Sequence, residues 1–200
     1  MPFAKAPGAS LYYENTGTGT PIVFVHETAA DLRSWEAQVR WFSRFNRCIT
    51  YNARGYAPSE RGEQPSSHDY RRLADDIGAV MDAAGVEKAF VVGLSMGAYV
   101  AAHFALRHPE RLLGVVLAGL GAGSDDPDEF RAGTLAMAAT LRERGTEAMV
   151  EQMVRGPNRV QLHNKDPRGF AEFLQQLREL DAEGLANILQ YCHSTRPPSS

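Results

Sequence analysis

A serine between two glycines is the residue of this chain best suited to covalent chemistry. An apolar run at 89–94 stops at Ser95, and Gly93 and Gly97 stand two residues before and after that serine. A nucleophile elbow, the sharp turn from a strand into a helix, needs this Gly-x-Ser-x-Gly spacing because larger side chains would collide with the turn. The spacing predicts Ser95 as a nucleophile that attacks a carbonyl carbon.

The helix predicted after Ser95 would stabilise the negative charge that develops in such an attack. Its free N-terminal N–H groups and its dipole point toward the reaction centre, so we predict the backbone N–H of Met96 as one oxyanion donor. Thr28, in the loop after an apolar run at 21–25, is the candidate for the second N–H. The alternative for residues 93–97 is a turn of small residues that only packs closely, but the apolar helix pattern that follows favours chemistry.

Length, charge and cysteine content exclude several classes of protein. Two hundred residues suit one domain with a small lid, and a formal charge of −3 without a basic run predicts no nucleic-acid or anionic-membrane partner. No stretch approaches the roughly 18 apolar residues of a membrane span, and the N-terminus has no signal-peptide core. Cys48 and Cys192 lack metal-ligand spacing and predict free core thiols. We expect a cytoplasmic protein that needs no cofactor and no metal.

Strand and helix patterns alternate from residue 22 to residue 118, which is typical of an α/β protein with a mostly parallel sheet. The predicted strands lie at 11–14, 21–25, 48–51, 89–94 and 112–118, and the predicted helices between them at 35–42, 67–84 and 98–107. Beyond residue 123 only helical patterns follow, at 129–144, 146–153, 168–180 and 181–192. The chain is therefore predicted to divide into an α/β core (1–123), a helical part (124–193), which the resemblance given below implies to be a cap or lid, and an unstructured tail (194–200).

Four motifs in this order carry a resemblance to a known family: Val-Phe-Val-His at 23–26, Asn-Ala-Arg-Gly-Tyr-Ala-Pro-Ser at 52–59, the elbow at 93–97, and His-Pro-Glu-Arg at 108–111. Together they resemble the α/β-hydrolase fold superfamily, and most closely its small esterases, enol-lactonases and cofactor-free haloperoxidases. The resemblance covers nearly the whole chain and implies a three-layer αβα sandwich. It also implies an acyl-enzyme at Ser95 formed from a carboxylic ester or lactone, an oxyanion hole of the Met96 and Thr28 N–H groups, and a lid that shapes the substrate pocket.

The chain departs from the family pattern in two loops. Glu27 stands where the family usually has glycine after the histidine, and Asn52 and Ala57 replace the aspartate and the last glycine of Asp-x-Arg-Gly-x-Gly. His26 and Glu27 are candidate substrate contacts by their place in the first of these loops. For His26 we favour the alternative, a polar residue that hydrogen-bonds within its own loop.

Met149 and Met153 are the other candidate substrate contacts, because they suggest an apolar inner face of the lid. The same residues fit packing between the lid and the core equally well. The pattern leaves both interpretations open, and it does not identify the substrate.

No histidine occupies the position that the family gives to its catalytic base. The family orders its triad as serine, acid and histidine, with the last two on loops that follow later strands. Asp125 and Asp126 follow the last predicted strand, although carboxylates at the N-terminus of a lid helix are the favoured interpretation. A lid histidine near Ser95 is the less favoured alternative for the base. The histidines of the chain are His26, His68, His103, His108, His163 and His193.

Two functions therefore remain open at the sequence level. The first is a serine hydrolase of the α/β-hydrolase fold that lacks the C-terminal part of the fold and is impaired by the absence of its acid and histidine. The second is a non-catalytic, truncated or partner-completed protein. In either case the strand at 112–118 has no lysine or proline to protect an open edge, which predicts self-association through it.

Overall fold

A computed structural model of the protein describes residues 2–121 and 125–195. Its six strands are β1 (Phe3–Ala6), β2 (Ala9–Thr16), β3 (Thr20–Val25), β4 (Asn46–Tyr51), β5 (Ala89–Leu94) and β6 (Leu112–Ala118). They form one sheet in the order β1-β2-β4-β3-β5-β6. The β1–β2 and β2–β4 pairs are antiparallel, whereas β4, β3, β5 and β6 run parallel to one another.

Strand β3, which the sequence predicts at 21–25, lies inside the sheet between β4 and β5. Val23 of β3 pairs with Ile49 on one side and with Val91 on the other, and all three side chains are fully buried. An apolar run that is covered on both faces is what a central parallel strand requires. The sequence did not predict β1, because four residues are too few to show an alternating pattern, and β1 forms by pairing with β2.

Three helices lie between strands along the chain: α1 (Glu36–Phe42) after β3, α2 (Tyr70–Ala83) after β4 and α3 (Met96–Arg107) after β5. The helix predicted at 67–84 begins later, because Pro65–His68 forms a separate 3₁₀ turn and Asp69 then caps α2. Phe104 of α3 is fully buried, but Leu106 is 79% exposed. The apolar pattern of this helix in the sequence therefore does not correspond to burial on every face, because Leu106 points to solvent.

A helical segment, residues 125–195, follows the sheet. Four of its helices match predicted ones within a few residues, and the last of them continues into a π-helix at Ile188–His193. The sequence did not predict α6 (Val160–Lys165). Its six residues lie between the breaks at Gly156-Pro157 and Asp166-Pro167 and are too few to show helical periodicity. The helices are α4 (Pro127–Arg144), α5 (Glu147–Arg155), α6 (Val160–Lys165), α7 (Pro167–Glu179) and α8 (Ala182–Asn187).

The boundaries predicted for the cap and the tail are only partly within the described residues. Residues 122–124, where the cap was expected to begin, lie outside them, as do residues 196–200 of the predicted tail. Ser194, the first residue of the predicted tail, is buried and caps the π-helix.

The helical segment packs on the loops that follow β3 and β4. A Cβ added to Gly184 of α8 would lie 1.9 Å from the carbonyl oxygen of Gly55, so the two backbones touch directly. An ion pair of 2.7 Å between Arg33 and Glu179 connects the loop after β3 to the end of α7. These contacts place the helical segment over the carboxyl ends of the parallel strands, which is where open α/β sheets bind ligands.

Both cysteines of the chain lie in the described residues and are buried. Cys48 is a buried free thiol whose pKa is raised by burial, and Cys192 is buried in the core. Within 2–121 and 125–195, no cluster of three His, Cys, Asp or Glu side chains could hold a metal ion. Over the same ranges no helix combines the length and the apolar character that a bilayer crossing demands.

Strand β6 is the edge of the described sheet and is unusually apolar for an exposed edge. Leu113 is 47% exposed and Val116 52% exposed, and their backbone neighbours on one side are missing among the described strands. A strand of this kind offers unpaired N–H and C=O groups together with apolar area.

We propose that the 200-residue chain self-associates through β6. Val116→Lys should weaken this association about tenfold, because a lysine on an edge strand opposes edge-to-edge pairing. Val154→Lys, at a residue of α5 that is 54% exposed, is the matched control and should change nothing. Sedimentation velocity measures the outcome. A monomeric wild-type chain, or an equal effect of both lysines, would contradict the proposal.

Candidate active site

Ser95 lies at the strained turn that the sequence predicted. Its φ of 53° and ψ of −112° make it the one non-glycine residue with a positive φ in the described part of the chain. Its N–H donates to the carbonyl of Ala118 at 2.8 Å, and its own carbonyl accepts from the N–H of Tyr99 at 3.1 Å. These hydrogen bonds hold the serine between the end of β5 and the start of α3, in a conformation that costs energy and is typical of functional residues.

The two glycines of the elbow allow a direct contact between backbones. A Cβ on Gly93 would lie 2.2 Å from the carbonyl oxygen of Gly97, and a Cβ on Gly97 would lie 2.1 Å from that of Val25. The first distance confirms the steric reason for the spacing. The second adds a contact that the sequence did not reveal, because it joins the start of α3 to the end of β3. The loop after β3 therefore lies beside the elbow.

The two predicted oxyanion donors belong to adjoining elements. Met96 is the first residue of α3, so its N–H has no carbonyl one turn earlier in the helix. Thr28 is in the loop after β3, and its carbonyl accepts a hydrogen bond of 2.9 Å from the hydroxyl of Tyr56. Its hydroxyl lies 2.8 Å from Nε2 of His193 in the helical segment. Thr28 is thus held from the core and from the helical segment at once.

His26 connects two loops inside the protein. The ring is fully buried, its Nδ1 lies 2.8 Å from the carbonyl of Glu27, and its Nε2 accepts from the N–H of Ala53 at 3.1 Å. Because Nε2 accepts, the proton is on Nδ1 and the ring is neutral; burial lowers its pKa further from the ordinary range. This geometry agrees with the favoured interpretation of His26 as a loop-anchoring residue.

The Glu27 carboxylate forms an ion pair with Arg159 of the helical segment. Its carboxylate accepts from the Ser34 hydroxyl at 3.2 Å and from Arg159 at 3.0 Å. The Arg159 guanidinium also lies 4.6 Å from the centre of the Phe173 ring. The acidic residue in place of the usual glycine therefore ties the loop after β3 to the helical segment. Sequence reasoning missed Arg159, because 132 positions separate the two residues and no local pattern marks the pair.

In the loop after β4, both polar atoms of the Asn52 side chain have hydrogen-bond partners. Asn52 accepts from the N–H of Leu32 at 2.9 Å and donates to the carbonyl of Ala57 at 2.7 Å. An ionised aspartate could accept but not donate, so the amide suits a site with one donor and one acceptor. Arg54 of the same loop forms a fully buried ion pair of 2.6 Å with Asp76 of α2.

The methionines predicted to face the substrate lie on α5. Met149 is 4% exposed and belongs to the core cluster, and Met153 is partly buried against that cluster. Their positions fit the alternative of packing between the helical segment and the core. A contact of either one with a substrate stays a prediction.

No side chain of residues 2–121 and 125–195 forms a hydrogen bond with the Ser95 hydroxyl. His193 of the helical segment contacts the predicted site through the Thr28 hydroxyl, which lies 2.8 Å from its Nε2. Asp126 accepts from the N–H of Glu129 at 2.9 Å, which confirms the interpretation of Asp126 as a helix cap. The other histidines contact neighbouring side chains: His103 the Tyr70 ring, His108 the Asp75 carboxylate and His163 the Phe170 ring.

His68 is buried next to the loop after β4. Its Nδ1 lies 2.9 Å from the carbonyl of Pro65, while its Nε2 faces Gly55 and has no hydrogen-bond partner among the described residues. Burial lowers the pKa of His68 to about 4, and the cation of Arg54 acts in the same direction. The imidazole is therefore neutral in the folded protein at pH 7.

Acidification should destabilise the protein through His68. Its folded pKa lies below its unfolded value of about 6.5, so the unfolded state binds more protons between these values and stability falls as pH drops. Between pH 7 and about pH 4.5, protonation of His68 in the unfolded state should lower the free energy of unfolding by about 2–3 kcal/mol. Urea unfolding at the two pH values measures this change. His68→Gln should remove that part of the loss, and His163→Gln, at an exposed position, should not. Equal pH dependence in the two variants would refute the assignment.

Residues 20–148 match the family model of the α/β-hydrolase fold. That range covers more than half of the chain, and the sheet order, the elbow and the helices agree with it. The chain therefore belongs to the α/β-hydrolase fold family.

Individual relatives are hydrolases of this superfamily. The protein named "Putative carbamate hydrolase RutD" from Azorhizobium caulinodans is 31% identical over 193 residues, which are 94% of this chain and 67% of that protein. The enol-lactonase from Burkholderia xenovorans LB400 superimposes with a TM-score of 0.84 at 25% identity, over 97% of this chain and 74% of that one. A thermophilic esterase from Thermogutta terrifontis superimposes with a TM-score of 0.84 at 28% identity, over 94% of this chain and 68% of the esterase chain. The chain spans about two thirds or less of the length of the curated relatives that it matches.

Proposed function

We propose that this protein is a serine hydrolase that attacks the carbonyl carbon of a carboxylic ester or lactone through Ser95. The observation that carries the proposal is the strained conformation of Ser95 at the start of α3, with a φ of 53° that only the surrounding contacts maintain. The similarity to an enol-lactonase and to an esterase supports this substrate class. One relative carries the name "Putative carbamate hydrolase RutD", and a carbamate, like an ester, offers a carbonyl carbon to a nucleophile.

The chemistry follows from the elements that meet at the elbow. Oγ of Ser95 forms a bond to the carbonyl carbon, and its proton leaves for a base or for water. The carbonyl oxygen becomes negative and accepts from the N–H groups of Met96 and Thr28, in the field of the α3 dipole. Collapse expels the alcohol, or opens the lactone, and leaves an ester of Ser95 that water then hydrolyses.

The helical segment would act as the cap over this site. Its ion pair from Arg159 to Glu27 and its hydrogen bond from His193 to Thr28 bring it onto the loop that carries the second oxyanion donor. In this proposal Met149 and Met153 shape the apolar side of the pocket.

A second candidate is a non-catalytic protein whose sheet is completed by a partner chain. Two observations favour it: the exposed apolar edge at β6, and the lack of a described side chain hydrogen-bonded to the Ser95 hydroxyl. Without an activating base, a triad enzyme retains only about 10³–10⁴-fold acceleration over water.

Turnover of a short 4-nitrophenyl ester separates the two candidates. We expect the 200-residue chain to hydrolyse it at less than about 1 s⁻¹, and Ser95→Ala to lower the rate at least about tenfold. Ser43→Ala, at the end of α1, is the control and should leave the rate unchanged. Retention of the wild-type rate by Ser95→Ala would favour the non-catalytic candidate. A wild-type rate well above 1 s⁻¹ would reveal an active base, to be sought first with His193→Ala and then with His163→Ala and His26→Ala.

A further inference from the structure

Tyr56 touches both residues of the proposed oxyanion hole. Its hydroxyl donates to the carbonyl of Thr28 at 2.9 Å and lies 3.9 Å from the sulfur of Met96. Tyr56 is fully buried and Met96 is 1% exposed, so water does not compete for these contacts. One hydroxyl thus connects the loop after β3 with the first residue of α3.

The ring of Tyr56 is itself firmly held. It packs edge-on against the His26 ring with centroids 4.5 Å apart, and its backbone N–H donates to the carbonyl of Ala53 at 3.0 Å. The N–H of Ala53 in turn donates to His26, so Tyr56, His26 and Ala53 form one rigid unit. Burial, the largest cause, raises the pKa of Tyr56 well above its ordinary value, and the hydroxyl remains a donor at any working pH.

We propose that Tyr56 is a positioning residue that sets the distance and orientation of the two oxyanion donors. The inference rests on the proposed function of Ser95, Met96 and Thr28. The fully buried Tyr56 holds the carbonyl of Thr28, and with it the peptide unit that follows Thr28. This restricts rotation of the Thr28 backbone, and such a rotation would redirect the N–H of Thr28 in the preceding peptide unit. An oxyanion hole stabilises the transition state only where its donors lie at hydrogen-bonding distance from the developing charge, so a small shift reduces the rate more than the binding of substrate.

Tyr13 offers a matched control for this hydroxyl. It is also a largely buried tyrosine, and its hydroxyl donates to the backbone carbonyl of Ala83 at 3.1 Å, between β2 and the end of α2. Tyr13→Phe and Tyr56→Phe each remove one hydrogen bond from a tyrosine to a carbonyl, so their effects on stability should be similar. If the two variants are equally stable but differ in kcat, the difference reflects the place of the Tyr56 hydroxyl beside the proposed oxyanion hole and not a general loss of stability.

The first test measures ester hydrolysis by the 200-residue chain. Tyr56→Phe should lower kcat about tenfold and leave KM within about twofold, because the lost interaction acts in the transition state. Tyr13→Phe should leave both constants within about twofold. Equal kcat values for the two variants, or a change confined to KM, would overturn the inference.

The second test does not depend on activity. Hydrogen exchange of the amides at 27–30 should become about tenfold faster in Tyr56→Phe and should be unchanged in Tyr13→Phe, because only the first variant releases the carbonyl of Thr28. Unchanged exchange at 27–30 in Tyr56→Phe would overturn the inference even if turnover fell. Wild-type turnover in Ser95→Ala would be a separate result: it would overturn the proposed function, and with it a catalytic role for Tyr56.

Discussion

Gly97→Ala is expected to lower the free energy of unfolding by about 3 kcal/mol or more. The added Cβ would lie 2.1 Å from the carbonyl oxygen of Val25 and 2.8 Å from that of His26. Both atoms are backbone and cannot rotate away, so the start of α3 must move off the end of β3. The same movement would separate Ser95 from Thr28 and abolish the proposed oxyanion hole.

Gly133→Ala is the control for that substitution. Gly133 lies in the exposed part of α4, and a Cβ there meets no atom within 4 Å. Alanine should stabilise the helix by up to about 1 kcal/mol, because glycine is the poorer helix former. Chemical denaturation of both variants measures the two changes. A Gly97→Ala variant with wild-type stability would contradict the close backbone contact at the elbow.

Asp76→Ala is expected to cost about 3–5 kcal/mol of stability, since removal of one partner of a buried ion pair leaves the other charge uncompensated. Arg54 and Asp76 are both fully buried, and two hydrogen bonds of 2.6 and 2.7 Å join them. Both bonds come from Nε and Nη2 of Arg54; Nη1 has no hydrogen-bond partner in the described part of the chain, and the Pro7 carbonyl, 3.4 Å from Nη2, is an uncharged acceptor. The guanidinium would stay buried without a counterion.

An exposed pair provides the comparison for Asp76→Ala. Arg168 and Glu172 lie one turn apart on α7 at 3.0 Å, with side chains 90% and 59% exposed. Glu172→Ala should change stability by no more than about 0.5 kcal/mol. The double variant Arg54→Leu/Asp76→Leu should recover most of the loss, because apolar side chains remove both buried charges. Urea unfolding measures the free energy of unfolding of each variant. Equal decreases for Asp76→Ala and Glu172→Ala would contradict a larger role of the buried pair in stability.

Local patterns were sufficient to predict the parts of the fold that depend on local physics. The central strand β3 reads as an apolar run that needs cover on both faces, and Ser95 is identified by the steric demands of its own turn. The departures occur where local signals are weak. Strand β1 is too short to alternate, and the helix predicted at 181–192 is α8 followed by a π-helix, whose wider turns leave no distinct sequence pattern.

The candidate site shows the same division. The sequence favoured a hydrogen bond of His26 within its own loop, and Nδ1 lies beside the carbonyl of Glu27 in that loop. The bond from the N–H of Ala53 to His26 crosses to the loop after β4 and was not predicted. The pairs from Glu27 to Arg159 and from Thr28 to His193 were not predicted. They join residues more than a hundred positions apart, and such pairing depends on how the helical segment packs and not on any local pattern.

Covalent labelling with a fluorophosphonate, followed by peptide mass mapping, identifies the nucleophilic serine of the chain. The reagent phosphonylates the serine of a serine-hydrolase site, so we expect the modification on Ser95 and its loss in Ser95→Ala. Modification of Ser10, Ser34 or Ser59 while Ser95 stays unmodified would contradict the assignment of the nucleophile.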